Sequence, residues 1–259
     1  MSTIDEKRVH AANTDPLTLF VATDVGLVRV AVAGERVGEI GLLDRRPAHD
    51  VATADETIAV ATDEDVLLGE DLDETGFGPA TAVGFSGDLV AAAPDGTVAR
   101  RTDDEWVDCG QLEDVRAIDD DDLLATADGV YRLADDELEY AGLDDVHDVA
   151  GGTPRAATTD GLFRLGNGWL DELDGRFGMV AGGPSGVAHA ATETAFYAFD
   201  GEWTRVEAVE RRVVDVARGV YAVCADGTLL TATDDGWREH PLGTPGAHAV
   251  VARPDRKPV

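Results

Sequence analysis

The chain has 259 residues, with 52 acidic side chains against 21 basic ones and a formal net charge of −31. No apolar run approaches the roughly 20 residues that span a bilayer, and the polar stretch from Met1 to Asp15 lacks the apolar core of a secretory signal, so a cytoplasmic location is expected. There is no basic patch to neutralise a phosphate backbone, which argues against direct nucleic-acid binding. Cys109 and Cys224 have no CxxC spacing and read as small buried hydrophobes.

After a polar tail at residues 1–16, one phrase recurs along the chain. It is an apolar Ala- and Thr-rich stretch, an acid, often a glycine, then a second apolar stretch. Its acids are Asp24, Asp63, Asp95, Asp128, Asp160, Glu193 and Asp226, at intervals of 39, 32, 33, 32, 33 and 33 residues. Extra residues around Leu43 to Ala48 lengthen the first interval. The first unit opens at Leu17 directly with LTLFVAT and has no segment to serve as an innermost strand. In the second unit, Val66 to Gly78 is rich in glycine and acids, so short or irregular outer strands are expected there.

The unit from Asp114 to Gly142 shows the pattern most plainly. VRAI, LLATA, VYRLA and ELEYAG read as four strands, separated by DDDD, DG and DD. The DG step suits a tight hairpin because both residues tolerate positive φ. Four such strands fill the repeat and leave no room for a helix. A four-stranded meander at a fixed period is a propeller blade. Seven anchors therefore predict an all-β, seven-bladed β-propeller with four-stranded blades.

Side-chain size fits this radial order. Small residues such as Val149, Ala150, Ala156 and Ala157 belong near the axis. Tyr131, Phe163, Trp169, Tyr197, Trp203 and Trp237 belong in the wider gap outside. The four tryptophans, with Trp106 among them, fall nine to eleven residues after an anchor and read as rim packing. The spare segment Ala247 to Ala252 resembles the innermost strands elsewhere. It is expected to join the first blade and close the ring, giving one domain over residues 17–252 and a C-terminal tail at 253–259.

Candidate chemistry gathers where the innermost strands begin. His49, His147 and His248 share one repeat position. Asp50, Asp148, Asp215 and Arg116 are assigned to the next. Three imidazoles around one channel could bind zinc or orient an anion. The plainer reading is that each organises the hub through hydrogen bonds. Arg29, Arg132 and Arg164 each follow a glycine by three residues and are expected to pair with acids across strands. The run Asp119 to Asp122 lacks the spacing of a calcium loop. No GxSxG, phosphate-loop or HExxH motif occurs, so no catalytic residue, cofactor or metal is assigned.

The phrase T-x-D-G-L-F-R-L followed by a tryptophan, at Thr158 to Trp169, resembles the short repeats of regulator-type and Asp-box-like propellers. Scarce lysine (only Lys7 and Lys257), abundant Asp and Glu, and this repeat together resemble a family of haloarchaeal β-propeller proteins. That resemblance implies a propeller working in concentrated salt, which screens the self-repulsion of so acidic a chain, and it carries over no catalytic residues. The expected function is a monomeric, noncatalytic protein-interaction scaffold with a protein partner. The alternative is a channel-mouth lyase or hydrolase, or a small-ligand or metal binder.

Overall fold

In the computed structural model, which describes residues 16–254, the repeat period becomes seven antiparallel four-stranded sheets around a central channel. Of the two tails read from the sequence, residues 1–15 and 255–259 lie outside the described residues. In the fourth blade the strands are Val115–Ile118, Leu123–Thr126, Gly129–Ala134 and Glu137–Gly142, paired in sequence order from axis to rim. The one helical element among the described residues is a single 3-10 turn, Pro184–Gly186, in the sixth blade.

The threonine that precedes the turn acid in several blades has a local role. In the fourth blade, Thr126 Oγ1 donates to the Gly129 carbonyl at 2.9 Å and accepts the Asp128 amide at 3.1 Å. Thr23 and Thr158 bridge the equivalent turns of the first and fifth blades. The third and seventh blades lack this threonine. There, Asp95 and Asp226 accept the amides of Thr97 and Thr228 instead, each at 3.0 Å. Gly227 is required at its turn: its φ is +80°, and a Cβ there would stand 1.7 Å from the Thr244 carbonyl oxygen.

Each second strand is buried on both faces, and alternate residues serve opposite neighbours. In the first blade, Leu19 and Val21 pack against Val223 and Leu229 of the seventh, while Phe20 and Ala22 face Ile58 and Val60 of the second. Every pair of adjacent blades shares such an apolar cluster. Full burial of a leucine or valine contributes about 1.5–3 kcal/mol, so the ring is held mainly between blades. The tryptophans work at the same junctions. Trp106 Nε1 donates to the Thr75 carbonyl of the preceding blade, and Trp169 Nε1 donates to that of Ala141.

Beside Trp203 lies a charged cluster that the sequence did not reveal. Its Nε1 donates to Glu172 at 2.9 Å, and the same carboxylate accepts from Arg155 and Arg164 at 2.8 and 3.0 Å. Arg155 is almost fully buried, with its guanidinium over the rings of Phe199 and Trp203.

The second blade is thin toward the rim, as its composition suggested. Its outer strands are Val66–Leu68 and Asp73–Glu74. Buried Asp65 compensates by accepting the amides of Val66, Gly76, Phe77 and Gly78 at 2.7–3.2 Å. The ring closes as expected. The strand Ala247–Pro254 pairs antiparallel with Leu17–Thr23 as the innermost strand of the first blade. It runs through Arg253 and Pro254, residues that the sequence assigned to the tail.

Candidate functional site

The innermost strands enclose a channel of about 1110 Å³. In five blades the innermost strand slips register by one residue at the same place, just inside the channel mouth. The extra residues are His49, Arg116, His147, Val214 and His248. A bulge leaves its extra residue out of the ladder and re-aims the residues beside it. One expectation is corrected by this. Arg116 does not share the position of the aspartates; it stands in the histidine position, and Ala117 takes the aspartate position. Both residues of each His–Asp pair line the channel.

The three aspartates have one job in common. Asp50 accepts the amides of Val51 and, on the next blade, Val83, at 2.8 and 3.0 Å. Asp148 takes Val149 and Val180 at 2.9 and 2.8 Å. Asp215 takes Val216 and Val250 at 2.6 and 2.7 Å. An innermost strand is a sheet edge with unpaired amides toward the channel. Each carboxylate satisfies one such amide on its own blade and one on the next, stitching blade two to three, five to six and seven to one. Crowding by protein atoms pushes Asp50 up to about 6, Asp215 up to about 7, and Asp148 well above the ordinary carboxylate range. The amide bonds oppose that rise without cancelling it.

The histidines form two groups. His49 and His248 are neighbours, with ring centroids 6.3 Å apart. Each is tied to the anchor acid of its own blade: His49 Nε2 is 2.6 Å from Asp63, and His248 Nε2 is 2.8 Å from Asp24. His147 sits on the fifth blade. Arg116 has only donors, so the 3.1 Å contact makes His147 Nδ1 the acceptor. Its Nε2 then donates to Thr159 Oγ1 at 3.0 Å, and Thr159 donates to Asp145 at 2.6 Å. Burial, together with the nearby Arg116 and Arg176 charges, holds the His147 pKa below its ordinary value. Among the described residues, no three His, Cys, Asp or Glu side chains come together as a metal site.

A family profile matches this chain over residues 3–253. The chain belongs to the HVO_0234-like β-propeller family. Among solved structures, PorZ, an essential surface component of the type-IX secretion system of Porphyromonas gingivalis, aligns at 14% identity with a TM-score of 0.60. The alignment covers 83% of this chain and 35% of PorZ, so the HVO_0234-like propeller spans about a third of that protein's length. The computationally designed Ika8 protein gives a TM-score of 0.61 at 15% identity, over 91% of this chain and 90% of the design. Both likenesses show the fold alone. No curated protein matches.

The other repeat-locked residues of this HVO_0234-like propeller serve structure. Arg29 and Arg164 pair with Glu39 and Glu172 on the outermost strands. Arg132 lies opposite Glu139 in the ladder. In the acidic run, Asp119 accepts the amides of Asp121 and Leu123 at its own turn. Two channel residues escaped the sequence reading. Arg176 and Arg212 stand just before the short innermost strands Met179–Gly182 and Val213–Ala217 and line the channel. Aligning the starts of those strands, and not only the histidines, would have exposed them. His189 was also missed. It is buried between the sixth and seventh blades, stacked on Phe196 and edge-on to Trp237, and burial lowers its pKa to about 4.

Proposed function

We propose that this propeller is a noncatalytic interaction scaffold, a rigid monomeric ring that offers its loop faces to a protein partner in the salt-rich cytoplasm of a halophilic archaeon. The observation that carries the reading is the engagement of the channel carboxylates. Asp50, Asp148 and Asp215 each give both oxygens to backbone amides of two blades. His49, His147 and His248 are likewise held by partners within the ring. A general acid or base must reach a substrate proton, and these groups are occupied in holding the hub. The net charge of −31 favours solubility and selects against acidic partners. The likeness of the Thr158–Trp169 phrase to regulator-type repeats accords with this reading.

The test is affinity capture in molar KCl, read by mass spectrometry, followed by reconstitution of the captured protein with the purified propeller. A stoichiometric complex that survives gel filtration supports the scaffold. Turnover of a small-molecule panel that disappears in His49→Ala or His147→Ala overturns it.

A further inference from the structure

Most arginines among the described residues stand within 4 Å of a carboxylate, as an acid-rich chain allows. Arg36, Arg45, Arg132, Arg176, Arg212 and Arg218 form no such pair among the described residues, and half of these, Arg176, Arg212 and Arg218, line the central channel. Arg176 and Arg212 belong to neighbouring blades and enter at the same level, the start of the innermost strand. They continue an arc begun by Arg116 and His147 on the fourth and fifth blades.

The two halves of this arc differ. Arg116 is saturated. It holds Asp114 and Asp145 at 2.8 and 2.7 Å and also contacts the Val146 carbonyl. In doing so it neutralises the rim acids of its own sector. Arg176 and Arg212 are exposed, and no acceptor among the described residues engages their guanidinium groups. Arg176 is also close enough to His147 to disfavour its protonation. Asp148 and Asp215 also line the channel, but their oxygens are already taken up by backbone amides of two blades. A further lining acid, Glu193, belongs to the sixth blade.

We propose that the channel mouth at the sixth and seventh blades binds a compact oxyanion, a phosphoryl or carboxylate group, between the guanidinium forks of Arg176 and Arg212. Planar guanidinium forks match the paired oxygens of such groups. The site goes beyond the scaffold reading and holds whether or not a protein partner exists.

Thermal melts and isothermal titration test it, with inorganic phosphate in one arm and succinate in the other, each balanced against chloride at constant ionic strength. Saturable binding to the parent protein in at least one arm is expected, and the stronger arm names the source chemistry. Arg176→Gln and Arg212→Gln should each weaken binding about tenfold or more, the scale of a lost charge-assisted hydrogen bond. Both side chains are exposed and without ion pairs, so the variants should melt in chloride like the parent. Glu193→Gln should tighten binding. Failure to saturate in either arm overturns the proposal. So does equal response in the parent and the Arg176→Gln/Arg212→Gln double variant, which would mark an adventitious ion only.

Discussion

Asp215→Asn separates the two forces acting on the hub carboxylates. The parent side chain joins the seventh blade to the closing strand through Val216 and Val250, yet its carboxyl is raised by burial from 3.8 to about 7. The folded ring therefore holds a proton that the unfolded chain has already released. The stabilising contribution of this group is complete at acid pH and is lost as pH rises from about 4 through about 7. A displacement of that size corresponds to about 4 kcal/mol. Asparagine does not titrate. It keeps one acceptor oxygen and sets an NH2 against the other amide, a pH-independent penalty of about 1–3 kcal/mol. His189 contributes in the opposite sense, because its stability is present above its ordinary value of 6.5 and lost as pH falls toward about 4. It is common to both proteins and drops out of the difference. Urea melts at fixed KCl between about pH 4 and pH 8 should show the variant gaining on the parent by about 4 kcal/mol toward the alkaline end. Parallel curves with a constant offset would refute the argument, since they would mean that the amide bonds outweigh burial.

Glu172→Ala should cost about 3–5 kcal/mol, because it leaves the Arg155 cation buried and unpaired, whereas Glu39→Ala, which breaks the exposed pair with Arg29, should cost at most about 1 kcal/mol. Similar melting shifts for the two variants would contradict the burial argument. A chain ending at Gly246 loses the strand that covers the Leu17–Thr23 edge and supplies the Val250 amide to Asp215. It should show no cooperative transition by circular dichroism in matched salt, and an unchanged melting temperature would disprove closure by that strand.

Much of the fold was legible because the propeller writes its period into the chain. A turn acid with a threonine before it or a glycine after it recurs in each blade, and the spare Ala247–Ala252 segment announces the closing strand. The thinness of the second blade was visible in Val66 to Gly78. Its remedy was not, because Asp65 resembles every other turn acid until the folded loop brings Gly76 to Gly78 against it. The site was read in part. The histidine alignment found the right layer of the channel, but bulges do not announce themselves in sequence. Arg116 was therefore placed one residue out of register. Arg176 and Arg212 went unnoticed because they precede their strands and match no repeat position shared by the histidines. The Glu172 cluster joins side chains of adjacent blades, a proximity that only ring geometry creates.

The closing strand also bears on how the protein is made. Six blades are local in sequence and can form as the chain emerges. The first cannot finish until residues 247–254 have been synthesised. Until then the Leu17–Thr23 strand presents an open edge beside apolar residues such as Leu19 and Val21, a template for wrong pairing. Completion of the ring thus waits on synthesis as far as residue 254. A chain cut short before residue 247 would look native over most of its length and remain sticky at one seam.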